Sequence, residues 1–255
     1  MNLQILFLSK GKDLKSIYSL IVSLLMTQCC FAGVLYSNGD QFADFGTHYS
    51  KSDTVPGGGS LLGQVMADNF TLSSDSTIDS VRWWGAWNFF KPAIDDFTIN
   101  IYGSDNGLPD ASNLIASRVV GNVVETATGL SRSSNPSFPM ALFEFQADIA
   151  PLNLQANQEY WISIYDTAGS NTSQYFLWRE IEAAWITGSG AAAGSTTLGA
   201  SWGGRPVEFA FQLEGSSAVV PEPASALIFL AMSGQLLALR RRSQSEHRLM
   251  GRTNA

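Results

Sequence analysis

Across the middle of the chain, apolar and polar residues alternate with a period of two. In residues 96–102, Phe97, Ile99 and Ile101 share one face and Thr98 and Asn100 the other. In 159–166, Tyr160, Ile162 and Ile164 oppose Trp161, Ser163 and Tyr165. In 206–214, Val207, Phe209, Phe211 and Leu213 oppose Glu208, Ala210 and Gln212. Successive strand side chains point to opposite sides, so this alternation predicts strands with one buried face. Weaker alternation over 65–72, 78–84, 114–124 and 140–145 adds further candidates. No window holds a helical period, and 178–186 reads either as a short helix or as a strand with a bend. Asp105-Asn106-Gly107-Leu108-Pro109-Asp110 is a turn cluster, and 131–139 and 167–173 read as loops. Gly57-Gly58-Gly59-Ser60 and 188–204 are rich in Gly, Ala and Ser, the second predicting a long surface loop. Many short strands between Gly/Pro turns predict an all-β fold, an antiparallel, jelly-roll-like β-sandwich.

The two ends break this pattern. Lys10, Lys12 and Lys15 precede the apolar run 17–26 (IYSLIVSLLM), and small residues follow around Ala32-Gly33. A basic region, a short apolar core and Ala before the junction predict a signal-peptide helix over 1–32, cleaved between Ala32 and Gly33; an uncleaved anchor helix is the alternative. At the other end Val220-Pro221-Glu222-Pro223 leads into the apolar stretch 224–239 (ASALIFLAMSGQLLAL), closed by Arg240, Arg241 and Arg242. Sixteen helical residues at ~1.5 Å each span about 24 Å, a little short of a ~30 Å hydrocarbon core. Snorkelling arginines cover the difference. The arginine cluster holds the cytoplasmic side, so the sandwich lies outside. The domain order expected is therefore signal peptide 1–32, β-sandwich ectodomain 33–219, a transmembrane-helix sorting segment 220–242 and a cytoplasmic tail 243–255.

The order Pro-Glu-Pro, apolar span, arginine cluster resembles the PEP-CTERM sorting signal. In that family an exosortase, itself a membrane enzyme, cuts near the tripeptide and releases or transfers the ectodomain. The proteins belong to Gram-negative bacteria that make exopolysaccharide. The resemblance covers about 220–242, and Ser243–Ala255 extends past the arginines, where family tails usually stop. A looser similarity runs through 67–72 (ADNFTL), 81–85 (VRWWG), 95–102 (DDFTINIY) and 160–165 (YWISIY). These resemble strand segments in ectodomains that carry such tails, whose outline is similar to carbohydrate-binding modules. The resemblance implies an exported, exosortase-processed surface or matrix protein, transiently held in the membrane, with extracellular polysaccharide as a possible partner.

Charge sharpens this picture. Seven of the 15 basic and nineteen of the 22 acidic residues fall in 33–219, a net charge of −12 there against −7 for the whole chain. So acidic a body repels phosphate backbones, which argues against nucleic acid. The only cysteines, Cys29 and Cys30, lie in the signal segment, leaving no disulfide, thiolate metal site or Cys nucleophile after cleavage.

The catalytic inventory is thin. Gly199-Ala200-Ser201-Trp202-Gly203 matches the G-x-S-x-G nucleophile elbow, but that motif needs a preceding strand, a following helix and a downstream base. The one histidine downstream is His247, in the tail, and His48 is alone in the ectodomain, too few for a triad or a His-rich zinc site. Asp95 and Asp96 are adjacent, so in a strand they would point to opposite faces, which disfavours a glycosidase pair; the preferred reading is that they end a turn before Phe97. Asp40, Asp44 and Asp53 could give oxygens to calcium, although no EF-hand spacing is present. Trp83, Trp84 and Trp87, with Phe89 and Phe90, form the densest aromatic cluster. Alternation exposes one of Trp83 and Trp84 unless the sheet is covered on both faces. An exposed indole could stack on a sugar, while core packing is the simpler use. The sequence therefore points to a non-catalytic sandwich with a structural or interaction role, or to a carbohydrate-binding module using Trp83, Trp84 or Trp87. A hydrolase using Ser201 is the weakest reading.

Overall fold

The computed structural model describes residues 33–38, 48–54, 63–88, 91–132, 140–168, 174–181 and 191–217. All lie in the first of the two units into which the chain divides, Met1–Ala218 and Val219–Ala255. The expected signal helix, the 220–242 segment and the 243–255 tail lie outside the described residues, as do Asp40 and Asp44.

The described residues contain thirteen strands and no helix: β1 (Gly33–Asn38), β2 (Tyr49–Lys51), β3 (Val65–Thr71), β4 (Ser76–Trp87), β5 (Phe97–Asp105), β6 (Leu108–Gly121), β7 (Val124–Arg132), β8 (Met140–Leu154), β9 (Glu159–Asp166), β10 (Phe176–Arg179), β11 (Ala192–Ser195), β12 (Gly203–Arg205) and β13 (Phe211–Ser217). They form two antiparallel sheets. In the seven-stranded sheet β4 is central, with β8 and then β7 on one side. On its other side β4 pairs with β13 over most of its length and with β10 at its end; β1 lies beyond β13 and β2 beyond β10. The second sheet has the order β12-β11-β3-β9-β5-β6. The predicted turn cluster closes the β5–β6 hairpin, with Asp105 opposite Leu108. Both turn residues are left-handed, Asn106 at φ 53° and Gly107 at φ 72°, as a type I′ turn requires.

The core lies between the sheets, and the period-two positions fill it. Phe97 from the six-stranded sheet has its ring centroid 5.2 Å from Trp83, 5.3 Å from Phe145 and 5.0 Å from Phe176 of the facing sheet. These are mostly edge-to-face contacts, the arrangement that ring quadrupoles favour. Val207, Phe209, Phe211 and Leu213 are all buried as the alternation requires, although the ladder of β13 begins only at Phe211.

Asp68 is the exception on the inward side of β3. It is fully buried and serves as a clasp: its carboxylate accepts from Phe209 N–H (2.6 Å), Asn69 N–H (3.0 Å) and Asn38 Nδ2 (2.9 Å). The same Asn38 amide donates to Glu208 (2.8 Å), so one side chain of β1 ties β3 to the segment entering β13. Burial, and next the charge of Glu208, push the Asp68 carboxyl well above its ordinary range.

Candidate functional site

The three tryptophans expected to offer a sugar platform do not do so. Trp83 and Trp87 point into the core, and Trp84 points out of the seven-stranded sheet, yet only 1% of Trp84 is exposed. Leu142 and Ala210, with Tyr49, Leu130 and Ile181, cover it from segments distant in sequence. This end of the sheet is covered on both faces, so neither parity of the alternation reaches solvent, and stacking of a sugar on Trp83, Trp84 or Trp87 is corrected to core packing.

The other candidates are also placed. Ser201 lies in the β11–β12 hairpin loop, with a strand after it instead of a helix. Its N–H donates to Thr197 Oγ1 at 3.0 Å, and the two hydroxyls are 2.9 Å apart. His48 precedes β2 and its carbonyl accepts the Glu180 N–H. Asp95 and Asp96 lie outside the strands, just before β5: Asp96 accepts from the Thr167 hydroxyl at 2.7 Å, while Asp95 lies against Glu125. Asp53 is fully buried and accepts from Phe176 N–H at 2.9 Å. Among the described residues no three His, Cys, Asp or Glu side chains group closely enough to hold a metal. No helix among them is long and apolar enough to cross a membrane. Gly33, the residue after the expected cleavage point, opens β1 opposite Gly215.

A different surface collects aromatic and hydrogen-bonding side chains: the outer face of the six-stranded sheet. The registers of β5 and β9 set Thr98 beside Tyr165, Asn100 beside Ser163 and Tyr102 beside Trp161. The row continues onto β3 through Ala67 and Asn69, and onto the edge strand β6 through Val119, Ser117 and Leu114. Asn100 Nδ2 donates to the hydroxyls of Tyr102 (3.1 Å) and Tyr165 (3.3 Å). Trp161 donates its indole N–H to Ser104 Oγ at 3.3 Å. Ser104 donates in turn to Glu159, whose other oxygen accepts from Asn69. Burial raises the Tyr102 phenol, opposed by the Asn100 bond, so this hydroxyl stays neutral.

The β11–β12 hairpin supplies the roof. Trp202 is half-buried and meets Tyr102 edge-on, centroids 5.6 Å apart at 72°. Its indole N–H and Asn100 Oδ1 are buried with no protein partner, an unused donor and acceptor on two side chains that touch Tyr102. At the loop tip Leu198 adopts φ 55° and is 53% exposed, an unusual backbone for a branched apolar residue. Ser195 Oγ pins the turn by accepting the N–H groups of Thr197 and Gly199. Thr98, Asn100, Tyr102, Trp161 and Ser163 are themselves buried, so what reaches solvent here is half-exposed Ser104, Glu159, Tyr165 and Trp202, flanked by exposed Leu114, Val119 and Leu198.

A family model described as "Domain of unknown function (DUF7901)" matches residues 38–214. No curated protein matches the chain in sequence. Among solved structures, the chain is similar to the cysteine protease and lectin-like domains of Cwp84, a surface layer associated protein of Clostridium difficile. The identity is 11% and the TM-score 0.38, over 61% of this chain and 32% of that one.

Proposed function

The chain belongs to the DUF7901 family, and we propose that it is an exported surface β-sandwich, without catalysis, that binds extracellular polysaccharide on the outer face of its six-stranded sheet. The observation that carries this is the outward row of β5 and β9. Thr98, Asn100, Tyr102 and Ser104 run beside Trp161, Ser163 and Tyr165, with no formal charge among them, in a domain that is otherwise strongly acidic. The row is buried along Thr98, Asn100, Tyr102, Trp161 and Ser163 and reaches solvent at Ser104 and Tyr165, beside half-exposed Trp202. Rings, amides and hydroxyls suit a sugar, which has apolar ring faces and hydroxyl edges.

On this reading a signal peptide is cleaved between Ala32 and Gly33. The 224–239 span holds the chain in the inner membrane, and Arg240, Arg241 and Arg242 face the cytoplasm. An exosortase then reads Val220-Pro221-Glu222-Pro223 and sends the ectodomain to the cell surface or matrix. What supports this is that the described strands run from Gly33, the residue after the expected cleavage point, to Ser217, ahead of Val220 in the chain.

Retention of the protein on purified extracellular polysaccharides tests the binding face. A Tyr165→Ala/Trp202→Ala variant should lose at least about tenfold in affinity, roughly 1.4 kcal/mol, with its fold intact by circular dichroism. A folded double variant that binds as well as the wild type would refute the assignment.

A further inference from the structure

Where the connection between β4 and β5 meets the start of β7, two carboxyl groups face each other away from the proposed glycan face. The Asp95 side chain is 0% exposed and that of Glu125 is 7% exposed. Glu125 is well served: Trp87 Nε1 donates to Oε1 at 3.2 Å and the Lys91 ammonium lies 2.7 Å from Oε2. Asp95 is not. Neither of its oxygens has a donor, and Lys91, itself 43% exposed, reaches its Oδ1 only at 3.9 Å. The backbone around it is fixed, since Asp95 N–H donates to Asn122 Oδ1 at 3.2 Å.

The other charged groups packed here add no counterion. Asp166 of β9 bears on Asp95 through its negative charge. It accepts from Asp96 N–H at 2.7 Å, and its second oxygen is buried without a partner. Asp96 turns to the Thr167 hydroxyl. One partly exposed ammonium thus serves Asp95 and Glu125 together, with Asp166 close by. Two carboxylates in contact in a dry site cannot both stay ionised without cost. A proton on Asp95 removes the conflict, since the acid then donates to Glu125 and an oxygen without a donor becomes a donor itself.

We propose that Asp95 and Glu125 are a proton-operated latch joining the β4–β5 connection to β7, closed by a shared proton and loosened when that proton leaves. The electrostatics agree with the geometry. Burial first, and then the charge and hydrogen bonding of Glu125, push the Asp95 carboxyl from 3.8 up to about 7, with Lys91 opposing. Because the folded value lies above the unfolded one, the folded state holds the extra proton between these limits. The latch's contribution to stability is therefore complete below about pH 4 and is lost as pH rises through about 7.

Carboxyl-carbon NMR titration of the full chain, with thermal unfolding followed against pH, tests this. The wild type should show a carboxyl titrating near pH 7 that is absent in Asp95→Asn. The fall in Tm between about pH 5 and 8 should shrink in that variant. Part of the fall should remain, since burial also raises Asp68 and Asp166. Amide exchange over 91–96, corrected for its intrinsic pH dependence, should rise with pH in the wild type and not in Asp95→Asn. Should Asp95→Asn fail to fold, Lys91→Met is read instead: removing the opposing ammonium should move the Asp95 midpoint upward. An Asp95 midpoint near 4, a pH slope unchanged in Asp95→Asn, or a midpoint unmoved in Lys91→Met would overturn the latch.

Discussion

Trp84 and Trp178 offer a matched test of how this core treats its indoles. Both are buried, at 1% and 0% exposure. Trp178 donates its N–H to the Ala210 carbonyl at 3.1 Å and stacks on Phe209, with centroids 4.7 Å apart. Trp84 has no acceptor for its N–H. Replacing either by Phe keeps a ring and removes the pyrrole edge. At ~24 cal/mol per Å³ the small void left behind costs on the order of 1 kcal/mol at both positions. At 178 the lost hydrogen bond adds about 1 kcal/mol, making Trp178→Phe destabilising by roughly 2 kcal/mol. At 84 the change removes a buried donor whose unmet desolvation already costs about 1–3 kcal/mol, which offsets the void, so Trp84→Phe should be near neutral or mildly stabilising. Guanidinium unfolding followed by far-ultraviolet circular dichroism measures both, with unchanged m-values as the condition for comparing midpoints. Trp84→Phe should also leave polysaccharide retention intact, because the ring is sealed under Tyr49, Leu130 and Ile181. Equal losses at the two positions, or a larger loss at 84, would refute the reasoning.

Two further substitutions probe the close contacts that set the sheets. Gly85→Ala would put a Cβ 2.3 Å from the Phe176 ring and 2.7 Å from the Leu177 carbonyl oxygen. β10 must then move off β4, which should cost about 2–3 kcal/mol, a drop of roughly 5–10 °C in Tm for a domain of this size. A Tm within about 2 °C of the wild type would show that β10 yields freely. Asp68→Ala would leave the buried Phe209 N–H without its acceptor and the Asn38 amide with Glu208 alone. It should destabilise by about 2–4 kcal/mol, and a loss below about 1 kcal/mol in denaturant unfolding would mean that the clasp matters little.

Local periodicity carried much of the fold, for a physical reason. Phe97, Ile99 and Ile101, and Tyr160, Ile162 and Ile164, entered the core as their spacing demands, because burial follows the pleat whatever the partner strand. The run 206–214 shows the limit of that rule: its alternation reported burial correctly, whereas the β13 ladder starts only at Phe211, after Phe209 has made an isolated bridge to Glu180. The 188–204 segment read as a loop, yet it contains β11 and all but the last residue of β12. Small residues give no hydrophobic signal, and smallness is what these strands need. Ala193 lies beside Ala67, and a Cβ at Gly194 would come within 3.1 Å of Arg205 Nε. Trp84 failed as a sugar contact because its cover comes from residues 49, 130, 142, 181 and 210, which no local pattern can bring together.

The proposed binding face was half legible. Alternation placed Trp161, Ser163 and Tyr165 opposite the core, and Thr98 and Asn100 with them, but it took the pairing of β5 with β9 to merge two strands into one surface. Trp202 was visible only as part of a weak nucleophile motif, and the hairpin turns it into a roof over Tyr102. Charge then narrows the ligand class. One carboxylate, Glu159, continues the β9 row and is held by Ser104 and Asn69; at ~0.15 M salt the Debye length is only about 8 Å, so more distant carboxylates are largely screened at the face. No cation stands among Thr98, Asn100, Tyr102, Trp161, Ser163 and Tyr165 to pair with a uronate or sulfate. On the proposed function, a polysaccharide held here by ring contact and hydroxyl hydrogen bonds should be an uncharged one, and an anionic polymer should be retained less well.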